Sequence, residues 1–340
     1  MHRAWFDEQD LRLLHGLQIS PRVSWADAAR VLGTTPATVA ARWERLRAEG
    51  LAWIVAHPSG RVGSTTVAFV EVDCLPGRRD DVIRSLREDA RAVTIEQAAR
   101  GRDLLLTVMT ADLRSLSRFA LDDLPRVEGV QRQQTSLATA IHRQASDWRL
   151  GALDRDQQGA FEATRPAVPR SPISLPREAW PLIRALGRDG RANAAELARA
   201  TGRNHATVRR QLGRLLATGA LTLRCEIAQD ESLWPLHCTW LARVAEPEKE
   251  RTLAALATLP ELRLCVSTTG ETNLQVVVWA KSQSDLLRLE RLLGERLPWL
   301  TIVESVINLR TAKRMGCFID DLGRATGEVV VPTALGPRSD

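Results

Sequence analysis

Tyrosine is absent from this 340-residue chain, lysine is almost so, and aromatic side chains make up 4% of it. Five cysteines (Cys74, Cys225, Cys238, Cys265 and Cys317) are scattered, odd in number and never spaced C-x-x-C. Neither a zinc site nor a disulfide framework is expected, and a reducing compartment is. No stretch approaches the about 18 uninterrupted apolar residues of a spanning helix, and the N-terminal MHRAWFDEQD has no apolar h-region. The expected location is therefore cytoplasmic, without membrane contact. A Walker loop, G-x-S-x-G, H-E-x-x-H and a dinucleotide fingerprint after a strand are all missing. Catalytic and metal residues are expected to be none, and no cofactor is demanded.

What is present suits a folded protein: 44% hydrophobic and 26% charged residues, with a length that allows two to four domains. The formal charge of +6 and pI of about 9.6 rest almost entirely on arginine. That balance suits a polyanionic partner, although arginine bias also follows genomic base composition, so the positions of the arginines must decide. The tryptophans, among them Trp43, Trp240 and Trp279, fall at apolar-spaced positions and read as core.

The chain contains itself twice. Residues 24–54 lie over 193–223 without a gap, matching Ala29 with Ala198, Gly33 with Gly202, Ala-Thr-Val at 37–39 with 206–208, Leu46 with Leu215 and Gly50 with Gly219. A weaker match continues, with Gly101 over Gly270. The expected organisation is a DNA-binding module at 1–58, an α/β module at 62–145, a linker at 146–174, second copies at 175–230 and 234–315, and a tail at 316–340.

Each copy opens with three helices. Leu11, Leu14 and Leu17 mark an amphipathic first helix after Asp7 and Asp10. Ser24 with Asp27 resembles a capping box for the second, Gly33 breaks it, and Thr35-Pro36 is an N-cap and N1 pair for a third that ends before Gly50. In copy two Asn193 and Glu196, Gly202, Asn204 and Gly219 repeat these devices, and Pro181 is tolerable only in the first turn of its helix. This is a helix-turn-helix, whose last helix enters the DNA major groove. Val39, Trp43 and Leu46 should be core, leaving Thr35, Pro36, Thr38, Ala41, Arg42 and Arg45 to face DNA. The corresponding set in copy two is Arg203, Asn204, Thr207, Arg209, Arg210 and Arg214, richer in arginine and the stronger candidate for phosphate or guanine contacts. LAWIVA and ALTLRCEI, after the third helices, read as strands of wings.

Residues 6–55 resemble the N-terminal module of the Lrp/AsnC (feast/famine) regulators, carrying that family's Asp-x-x-Asp (Asp7, Asp10), an Arg before the second helix (Arg22), Ala28-Ala29, the Gly33 turn, and Leu46 with Gly50. Copy two keeps Arg191, Leu197-Ala198, Gly202, Leu215 and Gly219 but lacks the paired aspartates. The remainder of each copy alternates as β-α-β-β-α-β, a ferredoxin-like order. The fold class is thus α+β: two winged helix-turn-helix modules alternating with two ferredoxin-like modules. The resemblance implies a regulatory module that pairs through its sheet and binds a small effector, such as an amino acid, at subunit interfaces. It places the effector loop at Gly101, Arg102 and Asp103 in copy one and at Gly270, Glu271, Thr272 and Asn273 in copy two. The alternative is an ordinary tight turn with glycine at positive φ.

The reading expected is a sequence-specific regulator binding double-stranded DNA, its two α/β modules paired as an internal pseudo-dimer, with further homo-oligomerisation. Because the two third helices differ, two unlike half-sites are expected. Two alternatives stand beside it. Siroheme decarboxylases resemble the same architecture and occur as fused pairs, but their chemistry needs a tetrapyrrole pocket with histidine and usually tyrosine, whereas His57, His142, His205 and His237 stand isolated in this sequence. A ligand-independent architectural DNA binder is the other.

Overall fold

The computed structural model describes residues 5–59, 65–166, 176–229 and 234–332. The expected loose ends and the proline-rich close of the linker, at 1–4, 333–340 and 167–175, lie outside the described residues.

Copy one runs α1 (Glu8–Ile19), α2 (Trp25–Leu32), α3 (Pro36–Ala48), β1 (Ala52–Pro58), β2 (Thr66–Cys74), α4 (Arg79–Arg87), β3 (Ala92–Ala98), β4 (Leu104–Thr110), α5 (Leu113–Ser117) and β5 (Val130–Arg143). After α6 (Arg155–Ala163), copy two runs α7 (Trp180–Arg188), α8 (Ala194–Thr201), α9 (His205–Thr218), β6 (Leu221–Ile227), β7 (Leu236–Arg243), α10 (Lys249–Leu256), β8 (Leu262–Thr268), β9 (Leu274–Ala280), α11 (Gln283–Arg296) and β10 (Thr301–Arg314), followed by the short β11 (Cys317–Ile319) and β12 (Ala325–Val329). The helix ends follow from side-chain chemistry. Asp7 and Asp10 close a reciprocal capping box on α1, Thr35 accepts from the Thr38 amide at 3.2 Å ahead of Pro36, and Asn193 with Glu196 caps α8 in the same reciprocal way. Gly33 and Gly202 turn the chain at φ 68° and 64°, a left-handed conformation that costs glycine nothing. Pro181 sits in the first turn of α7, where it removes no helical hydrogen bond.

Each α/β module orders its strands as a ferredoxin-like sheet, β3-β4-β2-β5 and β8-β9-β7-β10. The modules then pair edge to edge: β5 with β8, and β10 with β3, both antiparallel. Since β10 also pairs with β7, these eight strands close into a ring and leave no open edge among themselves. Side chains alternate across it. Ala68, Val70 and Val72 of β2 and Leu104, Leu106 and Val108 of β4 pack outward in a core with α4 and α5, as Cys238, Trp240 and Ala242 of β7 do with α10 and α11. Phe69, Leu105 and Val266 point inward and meet between the two sheets.

The strands expected as wings do form, but they pair with each other. β1 and β6 make an antiparallel ribbon from Ala52↔Ile227 to Pro58↔Leu221, with Val55 opposite Arg224, its own counterpart in the other copy. A pseudo-twofold axis therefore passes through the ribbon. Two arginines fasten it reciprocally: Arg22 donates to the carbonyls of Gly190 and Ala192, and Arg191 donates to those of Pro21 and Val23 at 2.6 and 2.9 Å. Arg191 also lies 3.7 Å over the Trp25 ring.

Residues 146–166 are not a free linker. Trp148 is buried against Trp234 and Trp279, with ring centroids 5.2 and 4.9 Å away, and α6 places Phe161 so close to Gly16 that a Cβ there would collide with the ring. His15 Nδ1 accepts the amides of Ala152 and Leu153, both at 3.0 Å, and Gln18 accepts that of Leu150 at 2.9 Å. Low periodicity hid this segment because a few large side chains, rather than a repeating stripe, bury it. The described part of the tail is likewise engaged: Ala325 donates its amide to Gly50 at 2.9 Å, and Val331 packs on Gly187.

Removing either arginine strands two carbonyls of the opposite module. Arg22→Ala is expected to cost about 1–3 kcal/mol, and Arg191→Ala more because it also loses the stacking on Trp25. Urea denaturation followed by circular dichroism would show the order, and an equal or reversed cost would refute it. Burial, helped by nearby Arg149, lowers the pKa of His15 to about 4. The unfolded chain then takes up a proton near pH 6.5 that the folded chain refuses, so His15 contributes stability above that pH and loses it as pH falls toward 4. His15→Asn keeps an acceptor but cannot titrate. Its stability relative to the native chain should rise by about 2–3 kcal/mol between pH 7 and pH 4, and a constant difference over that window would contradict the assignment.

Candidate nucleic-acid interface, effector loops and central cavity

The third helices bury the faces their periodicity predicts: Val39, Trp43 and Leu46 on α3, and Val208, Leu212 and Leu215 on α9. Their outward faces differ in electrostatics. Arg42 donates to Asp7 at 2.7 Å and Asp10 at 2.8 Å, and Arg45 reaches Asp10 at 2.6 Å and Glu49 at 3.2 Å. Asp10 is buried, so two guanidiniums are drawn onto one desolvated carboxylate. Thr38 hydrogen-bonds Thr35 at 2.8 Å, and Pro36 and Ala41 are exposed without a polar group to offer. Copy two lacks the aspartates, and on α9 Arg209, Arg210 and Arg214 stand exposed. Arg203 is held by the Glu178 carbonyl and, at 3.2 Å, by Gln211; Asn204 caps α9 through the Ala206 amide at 2.8 Å, and Thr207 is half-buried.

Both effector loops are tied down by their own side chains. Asp103 accepts from the Cys74 amide at 2.8 Å and from Arg79, while Arg102 pairs with Glu71 of its own module at 2.8 Å and crosses to Glu304 of the other at 2.6 Å. Gly101 takes a φ of 77°, a left-handed conformation that suits glycine, and the Glu304 carboxylate lies against it. In copy two Asn273 grips Val244 twice, accepting its amide at 3.0 Å and donating to its carbonyl at 2.8 Å. The carbonyls of Glu271 and Thr272 accept from Arg243 and Thr268, and Gly270 takes a φ of 120°. Asp103 and Asn273 thus fasten corresponding strand ends. An open polar cleft of about 770 Å³ lies beside the first loop, lined by Arg79, Arg100, Arg102, Asp103 and Arg132.

A second space lies inside the ring. Its volume is about 170 Å³, it is partly open to solvent beside Ile141, and the β1–β6 ribbon covers one side. His57 and His237, isolated in sequence, both line it, with Glu96, Arg224, Arg263 and Arg314. Burial lowers His57 to about 4 and takes His237 well below its ordinary value, with Arg314 and Arg263 reinforcing the second shift; both rings are neutral at pH 7. Burial raises Glu96 to about 7 against the pull of Arg314 and Arg263. Burial also pushes Glu226 up, but Arg224, Arg263 and Arg314 outweigh it and hold it below the usual carboxylate range. Arg263 donates to Glu226 at 2.5 Å and stacks 3.7 Å over Trp279. Period-two alternation in AVTIEQA and ELRLCVST was the signal available for Glu96 and Arg263, but alternation shows that a residue faces inward, not what faces it across the gap. Among the described residues no group of three or more His, Cys, Asp or Glu could hold a metal ion, and no helix is long and apolar enough to cross a membrane.

Residues 6–47 match the AsnC-type helix-turn-helix domain, and residues 67–146 match the Lrp/AsnC ligand binding domain. An uncharacterized HTH-type transcriptional regulator of Pyrococcus furiosus is 31% identical over 140 residues, which is 40% of this chain and 94% of that protein. Its counterpart in Pyrococcus horikoshii is 29% identical over 140 residues, 40% of this chain and 88% of that protein. Over nearly the whole chain the fold is similar to the crystal structure of the siroheme decarboxylase NirDL, with a TM-score of 0.57, 14% identity, and coverage of 91% of this chain and 93% of that one. NirDL in co-complex with an iron-uroporphyrin III analogue gives a TM-score of 0.58 at 15% identity over the same shares of the two chains. The conserved-length match at 31% identity, together with the two domain matches in their family order, places this chain in the Lrp/AsnC family, with the fold of both domains repeated in one polypeptide.

Proposed function

We propose that this chain is a cytoplasmic, sequence-specific DNA-binding transcriptional regulator in which one polypeptide supplies two unlike reading helices, α3 and α9, and whose DNA affinity is set by a small effector, an amino acid being one class. The observation that carries this reading is the exposed set Arg209, Arg210 and Arg214 on α9, held by the β1–β6 ribbon in a fixed relation to α3. Guanidiniums without carboxylate neighbours are the groups that neutralise phosphates or read guanine. On α3 the same roles fall to Thr35, Pro36, Thr38, Ala41, Arg42 and Arg45, but Arg42 and Arg45 must first be shared with or released from Asp7 and Asp10. On α9, Arg203, Asn204 and Thr207 complete the face. Gly101, Arg102 and Asp103, with Gly270, Glu271, Thr272 and Asn273, form the two loops at which an effector or a further copy of the chain would engage, the open cleft beside Arg79 and Arg132 being the larger opening. Five unpaired, buried thiols suit a reducing compartment.

A second reading is an enzyme of the siroheme decarboxylase type. It is favoured by the fold likeness and by the histidines and arginines around the central cavity. A tetrapyrrole absorbing in the visible that copurifies with the full chain would establish it in place of the first.

Footprinting on DNA upstream of the protein's own gene tests the regulator. Two adjacent, non-identical half-sites should be protected. Arg209→Ala with Arg210→Ala should lose one of them, weaken binding at least about tenfold and lower the salt slope by about 2. Arg42→Ala should cost less, because that guanidinium already has two carboxylates. Protection unchanged by the double substitution would sink the assignment of α9.

A further inference from the structure

The inner faces of two paired sheets are ordinarily apolar. Here, between Phe69, Val266 and Val277 on one side and the β1–β6 ribbon on the other, the buried Arg263, Arg314 and His237 and the half-buried Arg224 and His57 gather around free space. We propose that this cavity is a binding site for a small organic acid with an apolar or aromatic body, its carboxylate received by Arg263 and Arg314 and its body seated against Phe69, Val266, Val277 and Trp279.

Unsatisfied polarity is the first support. His237 is 6% exposed, and its Nε2 has no hydrogen-bond partner; its Nδ1 lies 3.4 Å from Glu96 Oε1 without a hydrogen bond. The buried Nε1 of Trp279 and Nε2 of His57 are also unpartnered. Such groups cost roughly 1–3 kcal/mol each when left alone, so several around one space call for a polar occupant. Charge is the second. Arg224, Arg263 and Arg314 face Glu226 and Glu96, and Glu226 is already claimed by Arg224 and Arg263. Arg314 is satisfied by neutral acceptors, at 3.1 Å by Gln229 and 3.0 Å by Thr311, and Glu96 is protonated in part at neutral pH. An excess of more than one positive charge remains, which a bound carboxylate reduces. Size is the third. The cavity, about 170 Å³, is comparable to an engineered apolar cavity of roughly 150 Å³ that admits benzene, so it takes an aromatic or branched aliphatic acid of about ten non-hydrogen atoms.

His57 and Arg224 bring the consequence, because both belong to the ribbon that ties the two helix-turn-helix modules together. An acid bound here touches the element that sets their relation. This coupling rests on the regulator reading, whereas binding itself does not.

The test uses the full chain with benzoate, phenylacetate and phenylpyruvate as probes and benzyl alcohol as the uncharged control. Thermal unfolding and tryptophan fluorescence report binding, since Trp279 lines the cavity and Trp148 adjoins it. At least one acid should give a saturable rise in melting temperature together with a fluorescence change that the alcohol does not give. Val277→Phe, which fills the space without touching a charge, should abolish both, and Arg79→Ala in the open cleft should leave them intact. If Val277→Phe fails to fold by circular dichroism, Thr107→Leu serves in its place. No saturable response to any acid, or a response lost in Arg79→Ala and kept in the filled variant, overturns the proposal. Footprinting with and without the acid separates the two readings: binding without any footprint faults the regulator, and an intact footprint without acid binding faults the cavity.

Discussion

Everything in this molecule depends on the antiparallel pairing of β5 with β8 and of β10 with β3, which closes two four-stranded sheets into one ring within a single chain. Left open, each of those edges would present a row of unmet backbone groups, a template for pairing with another chain. Closure fixes the second layer too. Once the modules are related by a pseudo-twofold axis, β1 and β6 meet at Val55 and Arg224, and Arg22 and Arg191 can each reach the other module's carbonyls. The ribbon is the consequence of the ring, and the placement of α3 and α9 is the consequence of the ribbon.

Duplication within one chain allows the halves to differ where two identical chains cannot. Arg224 stands on the axis opposite a valine, and the three arginines that line the interior, Arg224, Arg263 and Arg314, all come from copy two. Likewise Asp7 and Asp10 neutralise Arg42 and Arg45 on α3, while among the described residues Arg209, Arg210 and Arg214 of α9 have no carboxylate partner and stand exposed. The two reading faces have therefore diverged in their charge more than in their shape: the caps, the glycine turns and the buried leucines are held in common.

Local grammar made much of this legible in the sequence. Thr35-Pro36, Asn193 with Glu196, and the two glycine turns mark helix ends because a cap is satisfied within a few residues. The strand order follows from period-two segments separated by helices. What stayed hidden involves residues distant along the chain. Helical periodicity showed that Arg42 faces outward but could not show that Asp7, 35 residues earlier, stands opposite it. The strands after α3 and α9 looked like independent wings because nothing local says that a strand's partner lies some 170 residues away in the other copy. Phe161 and Trp148, in a segment without a repeating stripe, gave no periodic sign of their burial. Of the cavity residues the sequence singled out only His57 and His237, as isolated histidines, since the common feature of the set is a space and not a spacing. The site residues were located by helix face and loop position, and their energetic inequality came from partners that only the tertiary structure supplies.

The reciprocal grip of Arg22 and Arg191 has a kinetic meaning for occupancy. In a regulator built from two separate chains, the species able to engage two half-sites exists only after a bimolecular encounter, so its abundance varies with the square of the protein present at low levels. Here the second reading head arrives by covalent connection at an effective concentration that dilution does not change. With α3 and α9 both reading DNA, as proposed, occupancy would follow protein level in direct proportion, a graded dial where a dissociating dimer would supply a threshold.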